Sequence, residues 1–259
     1  MSRKQAKSLF RHEEIVEALN LHGGASAEEL AERFGVSLVT MRRDLRHLEE
    51  SGRIRRTHGG ARLSKTSVVE FAYVERGSRN AVEKRAIARE LANMIPPEST
   101  VAFDSGTTTL EVARAIVDIQ GLTVVTNSLA IASVLYAQES IETILVGGTA
   151  RRKSPDLTGR LTTENLKRFR VDYAVLGADG VNEEGVYTNA VDVGQVCEAV
   201  LAAGTKAILL ADNSKINRPA FYRYAQVTDF DLIITDEGVT ADQRNWLDEA
   251  AESVTYVTL

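Results

Sequence analysis

Apolar positions change their spacing along this chain, and each spacing predicts an element. Ile15, Val16 and Leu19 share one side of a first helix that stops near "HGG" at 22–24. In "ASAEELAERFG", Ser26 and Glu29 have capping-box spacing, Leu30 and Phe34 lie one turn apart, and Gly35 supplies a stop. Ser37 caps a third helix, in which Leu38, Met41, Leu45 and Leu48 recur at i, i+3, i+7 and i+10 as one apolar stripe. "RIRRTHGGARL" then predicts two short strands around a glycine-containing turn. Positions 63–79 have no periodicity and predict a linker. Asn80 and Glu83 repeat the capping-box spacing, and Ile87, Leu91 and Ile95 continue a helix as far as Pro96-Pro97.

Beyond residue 99, short apolar runs alternate with helical stretches. "TVAFD" (100–104), "LTVVTN" (122–127), "ETILVGG" (142–148), "DYAVLGAD" (172–179), "KAILLAD" (206–212), "DLIITD" (231–236) and "VTYVTL" (254–259) predict strands. Helices such as "TTLEVARAIVDI" and "TADQRNWLDEAA" lie between them. Near-continuous apolar strands with crossover helices predict an α/β domain with a mainly parallel sheet covered on both faces. The expected organisation is a winged helix-turn-helix domain at 1–62, a linker at 63–79 and an α/β domain at 80–259.

Charge sharpens this division. The 259 residues carry a net charge of −5. Residues 1–62 hold 12 Lys+Arg against 9 Asp+Glu, while the remainder holds 19 against 27. A small basic head on a larger acidic body predicts two separate tasks. No run of ~18 apolar residues exists to span a membrane, and the start lacks the apolar core of a secretory signal. Cys197, the single cysteine, cannot form an internal disulfide. A cytoplasmic protein is expected, of bacterial type.

Arginines on a helix beside Asp44, Glu49 and Glu50 would, taken alone, read as weak surface pairs. Their context says more. Two helices joined by "FGVS" form a helix-turn-helix pattern that projects the second helix outward. Thr40, Arg42, Arg43 and Arg46 then leave the apolar stripe for the side that a major groove admits, where arginine pairs with guanine edges or phosphate. Arg53, Arg55, Arg56 and Arg62 mark a wing along the duplex backbone. The expected DNA-binding set is Ser37, Thr40, Arg42, Arg43, Arg46, Arg55, Arg56 and His58, the partner being double-stranded operator DNA. His47 and His58 have no cysteine partners, so no metal is expected.

In the body, polar residues gather where strands end. "FDSGTTTLEVA" sets Asp104, Ser105, Gly106, Thr107, Thr108 and Thr109 between a strand and a helix, whose open N–H groups suit an anion. Asn127 and Ser128, Gly147 and Gly148, Asp179, and Asp212 with Lys215 follow other strands. Singly, such residues are ordinary caps and turns. At the carboxyl ends of a parallel sheet they form a candidate pocket. Hydroxyls, a cation and carboxylates suit a phosphorylated sugar or polyol. Neither a Walker loop nor GxGxxG is present, and no cofactor is expected.

"VSLVTMRRDLRHLEESGRIRRTHGGA" resembles the DeoR-type helix-turn-helix of bacterial regulators of sugar metabolism. "EKRAIA", "FDSGTTT", "LTVVTNSL", "VGGTARR", "LTG", "VDYAVLGADG" and "LADNSK" follow in the order of the DeoR sensor domain. The resemblance implies a body similar in fold to ribose-5-phosphate isomerase and DNA contacts from Arg42 and Arg43. It further implies phosphate on the 104–109 loop, with Asn127, Gly147, Asp179 and Lys215 lining the pocket. "VGQVCEAV" departs from the family's acidic-then-basic pair, at Gln195 and Cys197.

Three functions compete. The leading one is a homo-oligomeric repressor, a dimer or tetramer, controlled by a phosphorylated sugar or sugar-derived effector. The second is a sugar-phosphate isomerase-like enzyme with a DNA-binding head, using Asp104, Asp179, Glu183 or Glu184 as base. The third is a DNA-binding protein with a decayed pocket, which the intact 104–109 loop and Lys215 oppose.

Overall fold

The computed structural model describes residues 11–12, 14–15, 18–19, 24–50, 54–57, 59–63, 73, 75–152 and 154–259. Val16, Arg53 and His58 lie outside the described residues. The chain separates into two compact units, Met1–Val74 with Arg152–Ser154, and Glu75–Arg151 with Pro155–Leu259.

In the first unit, β1 (Ala25–Ser26) leads into α1 (Ala27–Arg33), followed by α2 (Leu38–Glu50), β2 (Ile54–Arg56) and β3 (Gly60–Leu63). The capping box forms: Ser26 Oγ accepts the Glu29 N–H at 3.1 Å, and Glu29 Oε2 accepts the Ser26 N–H at 2.8 Å. Gly35, at φ +60°, turns the chain after α1 in a conformation that glycine adopts without strain. Ser37 Oγ accepts the Thr40 N–H at 3.2 Å and so caps α2. Met41, Leu45 and Leu48 bury against Ile15, Leu19 and Leu30, with Leu38 packed beside them.

β2 and β3 pair antiparallel, with Arg55 opposite Arg62. β1 joins β3 as a third strand, which two residues could not announce by periodicity. There Gly60 faces Ser26, and a Cβ at Gly60 would lie 2.0 Å from the Ala25 carbonyl oxygen, so the close approach requires glycine.

Asp44 corrects the surface-pair expectation. It shares a helix side with Met41, Leu45 and Leu48 and is buried with them. Arg11 Nε donates to its Oδ2 at 2.7 Å, and His12 Nε2 lies 3.1 Å from its Oδ1. Burial raises this carboxyl's pKa, but the bonds to Arg11 and then His12 outweigh it and hold the group below its ordinary range.

The second unit begins with residues 75–78 in helical conformation. It continues through α3 (Ala81–Met94), β4 (Thr100–Phe103), α4 (Thr107–Ala115), β5 (Leu122–Thr126), α5 (Leu129–Leu135) and β6 (Ile141–Leu145). A hairpin, β7 (Thr149–Ala150) and β8 (Leu157–Thr158), precedes α6 (Arg160–Leu166) and β9 (Val171–Gly177). Then come β10 (Gly180–Asn182), β11 (Gly185–Thr188), α7 (Val191–Ala203), β12 (Gly204–Leu210) and β13 (Tyr222–Ala225). β14 (Leu232–Asp236), α8 (Ala241–Ala250) and β15 (Val254–Val257) complete it.

The seven expected strands form one sheet in the order β15-β14-β12-β9-β4-β5-β6, and every neighbouring pair is parallel. Its core joins Leu176, Leu209 and Ile233 to Val196, Val200 and Ala203 of α7. The antiparallel β10-β11-β13 sheet and the β7-β8 hairpin were not anticipated; strands this short carry little pattern.

A second correction falls at Asn80. The expected capping box is absent: Asn80 is left-handed, at φ 52°, and makes no side-chain cap bond. Its Nδ2 donates instead to Asp212 Oδ1 at 2.7 Å and Ser214 Oγ at 2.9 Å, ligands remote in sequence that outcompete the local cap.

Candidate functional site

The outward side of α2 carries Arg42, Arg43 and Arg46, all exposed. Arg42 Nη2 lies 3.6 Å from Glu28 Oε1, with both side chains about 60% exposed. Such a pair contributes little and leaves the guanidinium available to another partner. Ser37 and Thr40 have local duties, since their hydroxyl oxygens lie 2.9 Å apart at the helix cap. In the wing, Arg55 and Arg56 are exposed. The Arg56 N–H donates to Glu49 Oε1 at 3.1 Å, which ties the wing to α2. His58 lies outside the described residues. Val39, exposed beside these arginines, escaped the sequence reading because a lone valine carries no charge signal.

In the second unit the candidate residues gather at the carboxyl ends of β4, β5, β6, β9 and β12. Asp104 lies under the first loop and is buried. Its Oδ1 accepts the Gly106 N–H at 2.9 Å and the Thr109 hydroxyl at 2.7 Å; its Oδ2 accepts the Gly177 N–H at 2.8 Å. Burial pushes this carboxyl up, against those three bonds, and the neighbouring charge of Asp179 pushes the same way. Asp104 therefore joins the β4 loop to the end of β9.

Gly106 is the N-cap of α4 and supplies no side-chain acceptor. The first intrahelical bond runs from the Leu110 N–H to the Gly106 carbonyl. Among the described residues, the N–H groups of Thr107, Thr108 and Thr109 thus have no acceptor and stay open at the positive end of a helix, an anion site in geometry and charge. Thr108 and Thr109 have buried side chains, and Thr107 is half-buried.

Ser105 belongs to a network that the sequence reading missed. Its hydroxyl donates to Asp156 Oδ2 at 2.6 Å. Arg151 grips the same carboxylate, which is 1% exposed, through Nε and Nη2. Burial works to lower the Arg151 pKa, but the bond to Asp156 and the nearby charges of Asp156, Asp192 and Asp179 outweigh it and raise the group above its ordinary range. The signal was the doubled arginine after Gly147-Gly148 in "VGGTARR", beside an aspartate five residues on.

Asn127 is buried; its Nδ2 donates to the Leu157 carbonyl at 2.8 Å, while its Oδ1 has no partner. Ser128 caps α5, its Oγ accepting the Ile131 N–H at 3.2 Å. The Gly147 carbonyl accepts the Thr162 hydroxyl at 3.0 Å, and a Cβ on Gly148 would lie 1.9 Å from Thr162 Oγ1. Asp179 Oδ2 accepts the Thr188 hydroxyl at 3.2 Å and the Asn189 N–H at 2.9 Å. Thr158 donates to Asp192 at 3.1 Å, adding another carboxylate that the sequence reading passed over.

Lys215 ends a short 3₁₀ turn (Asn213–Lys215) after β12. β12 is separated from β4 by β9, so this turn stands about 10 Å across the sheet from the 104–109 loop. Asp212 begins the turn, buried, with Oδ2 unpartnered. Lys84 also belongs to this corner. It is buried and donates to the carbonyls of Arg76 and Arg79. Burial lowers its pKa, Asp212 opposes that shift, and Lys215 reinforces it.

At the departure in "VGQVCEAV", Gln195 is exposed and Cys197 is buried in the core. Burial pushes the Cys197 thiol well above its ordinary range, so it is inert packing. A groove of about 380 Å³, lined by Glu198, Gly204, Thr205, Asp229 and Asp231 among others, lies by the start of β12. It contains none of the candidate residues, and ligands of open parallel sheets sit at the opposite strand ends.

Residues 11–67 match the DeoR-like helix-turn-helix domain, and residues 79–237 match the DeoR C terminal sensor domain. The glycerol-3-phosphate regulon repressor of Escherichia coli (strain K12) is 35% identical over 89% of this chain and 91% of its own. The HTH-type transcriptional regulator GlpR of Haloferax volcanii is 37% identical over 94% of this chain and 96% of its own. Among solved structures, ribose 5 phosphate isomerase A from Neisseria gonorrhoeae aligns at TM-score 0.38 and 17% identity, over 51% of this chain and 52% of that one. With a DNA-reading head, a sensor body and relatives aligned over nearly its full length, the chain belongs to the DeoR family of DNA-binding transcriptional regulators.

Proposed function

We propose that this regulator represses genes of carbohydrate metabolism and that a phosphorylated sugar or polyol controls it. The observation that carries the effector class is the open amino end of α4: three N–H groups without acceptors among the described residues, at the carboxyl end of β4. A phosphate there would accept from Thr107, Thr108 and Thr109 at the positive end of the helix dipole. Lys215 supplies a full charge, Arg151 holds Asp156 and through it Ser105 in place, and Asn127 Oδ1 and Asp179 accept from sugar hydroxyls. Gly147, where an added Cβ would meet nothing, lets backbone approach the ligand, and Gly148 lets Thr162 pack against the same loop. The name of the relative from Escherichia coli, a glycerol-3-phosphate regulon repressor, points to the same ligand class.

On the DNA side, Ser37 and Thr40 hold the start of α2. Arg42, Arg43 and Arg46 enter the major groove, and Arg55, Arg56 and His58 follow the backbone beside it. One small head makes few phosphate contacts, so the working form is a dimer or tetramer on repeated half-sites. It acts in the cytoplasm, on the nucleoid when bound. The body senses without turnover. Asp104 is engaged by three protein donors, and Asp179 by two, which leaves neither poised as a base.

A thermal-shift screen over sugar phosphates and their dephosphorylated counterparts tests the reading. A phosphorylated compound should raise the melting temperature and change operator affinity; its dephosphorylated form should do neither. Stabilisation by neutral sugars alone, or aldose–ketose conversion of the phosphorylated compound, would overturn it.

A further inference from the structure

Among the described residues of α2, Val39 is apolar yet 78% exposed. It stands three, four and seven residues before Arg42, Arg43 and Arg46, so the four form one stripe on one side of the helix. Met41, Leu45 and Leu48 on the other side build the core, and Val39 contributes nothing to it. Single exposed apolar residues are common on protein surfaces. This one differs in place: it lies in the first turn of the helix, two residues after the Ser37 cap. The first turn of a recognition helix is the part that reaches base edges. Arginine serves phosphates and guanine. The apolar group that base edges display in the major groove is the thymine 5-methyl.

We infer that Val39 reads the 5-methyl group of a thymine in each operator half-site, and so sets specificity where the arginines set affinity. This rests on the DNA-reading role of α2 and adds a base to it. The branched, stiff side chain presents its two methyl groups without loss of rotamer freedom, and its neighbours' charges hold the helix against the groove. Removing the thymine methyl then removes a contact without disturbing any hydrogen bond.

The full chain first enriches duplexes from a random-sequence pool, and the enriched duplex is the probe. Each thymine in turn is replaced by deoxyuridine, which deletes only the methyl. Affinities of the parent and of Val39→Ala are then measured by gel shift. One thymine per half-site should weaken parent binding about fourfold, the worth of one buried methyl group. Val39→Ala should bind the thymine and uracil duplexes equally, with an unchanged melting temperature. Val39→Thr, which keeps one methyl and the branched shape, should retain part of the discrimination. A parent that binds the probe but is indifferent to every uracil substitution overturns the inference and leaves DNA reading intact. So does a Val39→Ala variant with the full thymine preference. Failure of the parent to enrich any duplex would overturn both.

Discussion

Arg151 holds Asp156 by two parallel hydrogen bonds, Nε to Oδ1 at 2.7 Å and Nη2 to Oδ2 at 2.6 Å. The same carboxylate takes the Ser105 hydroxyl, so the hairpin after β6 is fastened to the 104–109 loop after β4. Arg151→Ala would leave a buried carboxylate without its cation, a loss of about 3–5 kcal/mol. The body should melt several degrees lower, and binding of the phosphorylated effector should weaken at least tenfold. Arg151→Lys should recover little of either, because an ammonium cannot make the paired contact. Calorimetry and thermal melts measure both effects; a variant with parental stability and affinity would refute the role.

Thr107→Ala and Lys215→Ala separate sensing from DNA binding. Thr107→Ala removes the half-buried hydroxyl beside the open N–H groups, Lys215→Ala removes the cation, and neither lies in the DNA-reading unit. Both variants should bind operator as the parent does without effector, and neither should respond when effector is added. Coupling is reciprocal, so parental effector affinity should change by the same factor when operator is present. If Lys215→Ala binds the phosphorylated ligand as tightly as the parent, the assignment of that lysine is wrong.

Arg42→Ala combined with Arg43→Ala should abolish operator binding while the fold persists, because both side chains are exposed. Each lost bidentate base contact is worth about 1–3 kcal/mol. Gel shifts against the enriched duplex, with circular dichroism as the control for folding, give the answer. Unchanged affinity would exclude these arginines as the reading pair.

Asp44 makes the first unit sensitive to acid, and the sign follows from its lowered pKa. Its bonds to Arg11 and His12 favour the charged form in the folded state. Their stabilisation is fully present above the unfolded value, about 4, and is lost as pH falls through the lower folded value. The parent should therefore lose stability faster than Asp44→Asn as pH drops below about 4. At pH 7 the variant should be less stable by roughly 3 kcal/mol, having lost one partner of a buried pair. Parallel denaturation curves for the two proteins across that range would contradict this.

Local pattern was enough for the elements that repeat. The stripe Met41–Leu45–Leu48, the Ser26–Glu29 box and seven apolar strand runs were all legible, because helix and strand periods are written in neighbouring residues. The polar loops after the strands were legible too, since parallel strands joined by crossover helices bring those connections to one edge. What the sequence did not disclose depends on partners far along the chain. Asp44 looked like a surface acid until Arg11 and His12, more than thirty residues earlier, were seen to bond it inside. Asn80 looked like a cap until Asp212 claimed its amide. Arg151 and Asp156 stand only five residues apart, yet their contact with Ser105 exists because the hairpin folds back over the sheet's edge. Strand order, too, was open: adjacency of β9 to β4 is what lets Asp104 reach the Gly177 N–H and close the candidate pocket. Periodicity is a property of a segment and is readable from it; a buried hydrogen bond needs two segments, and only tertiary packing chooses the second.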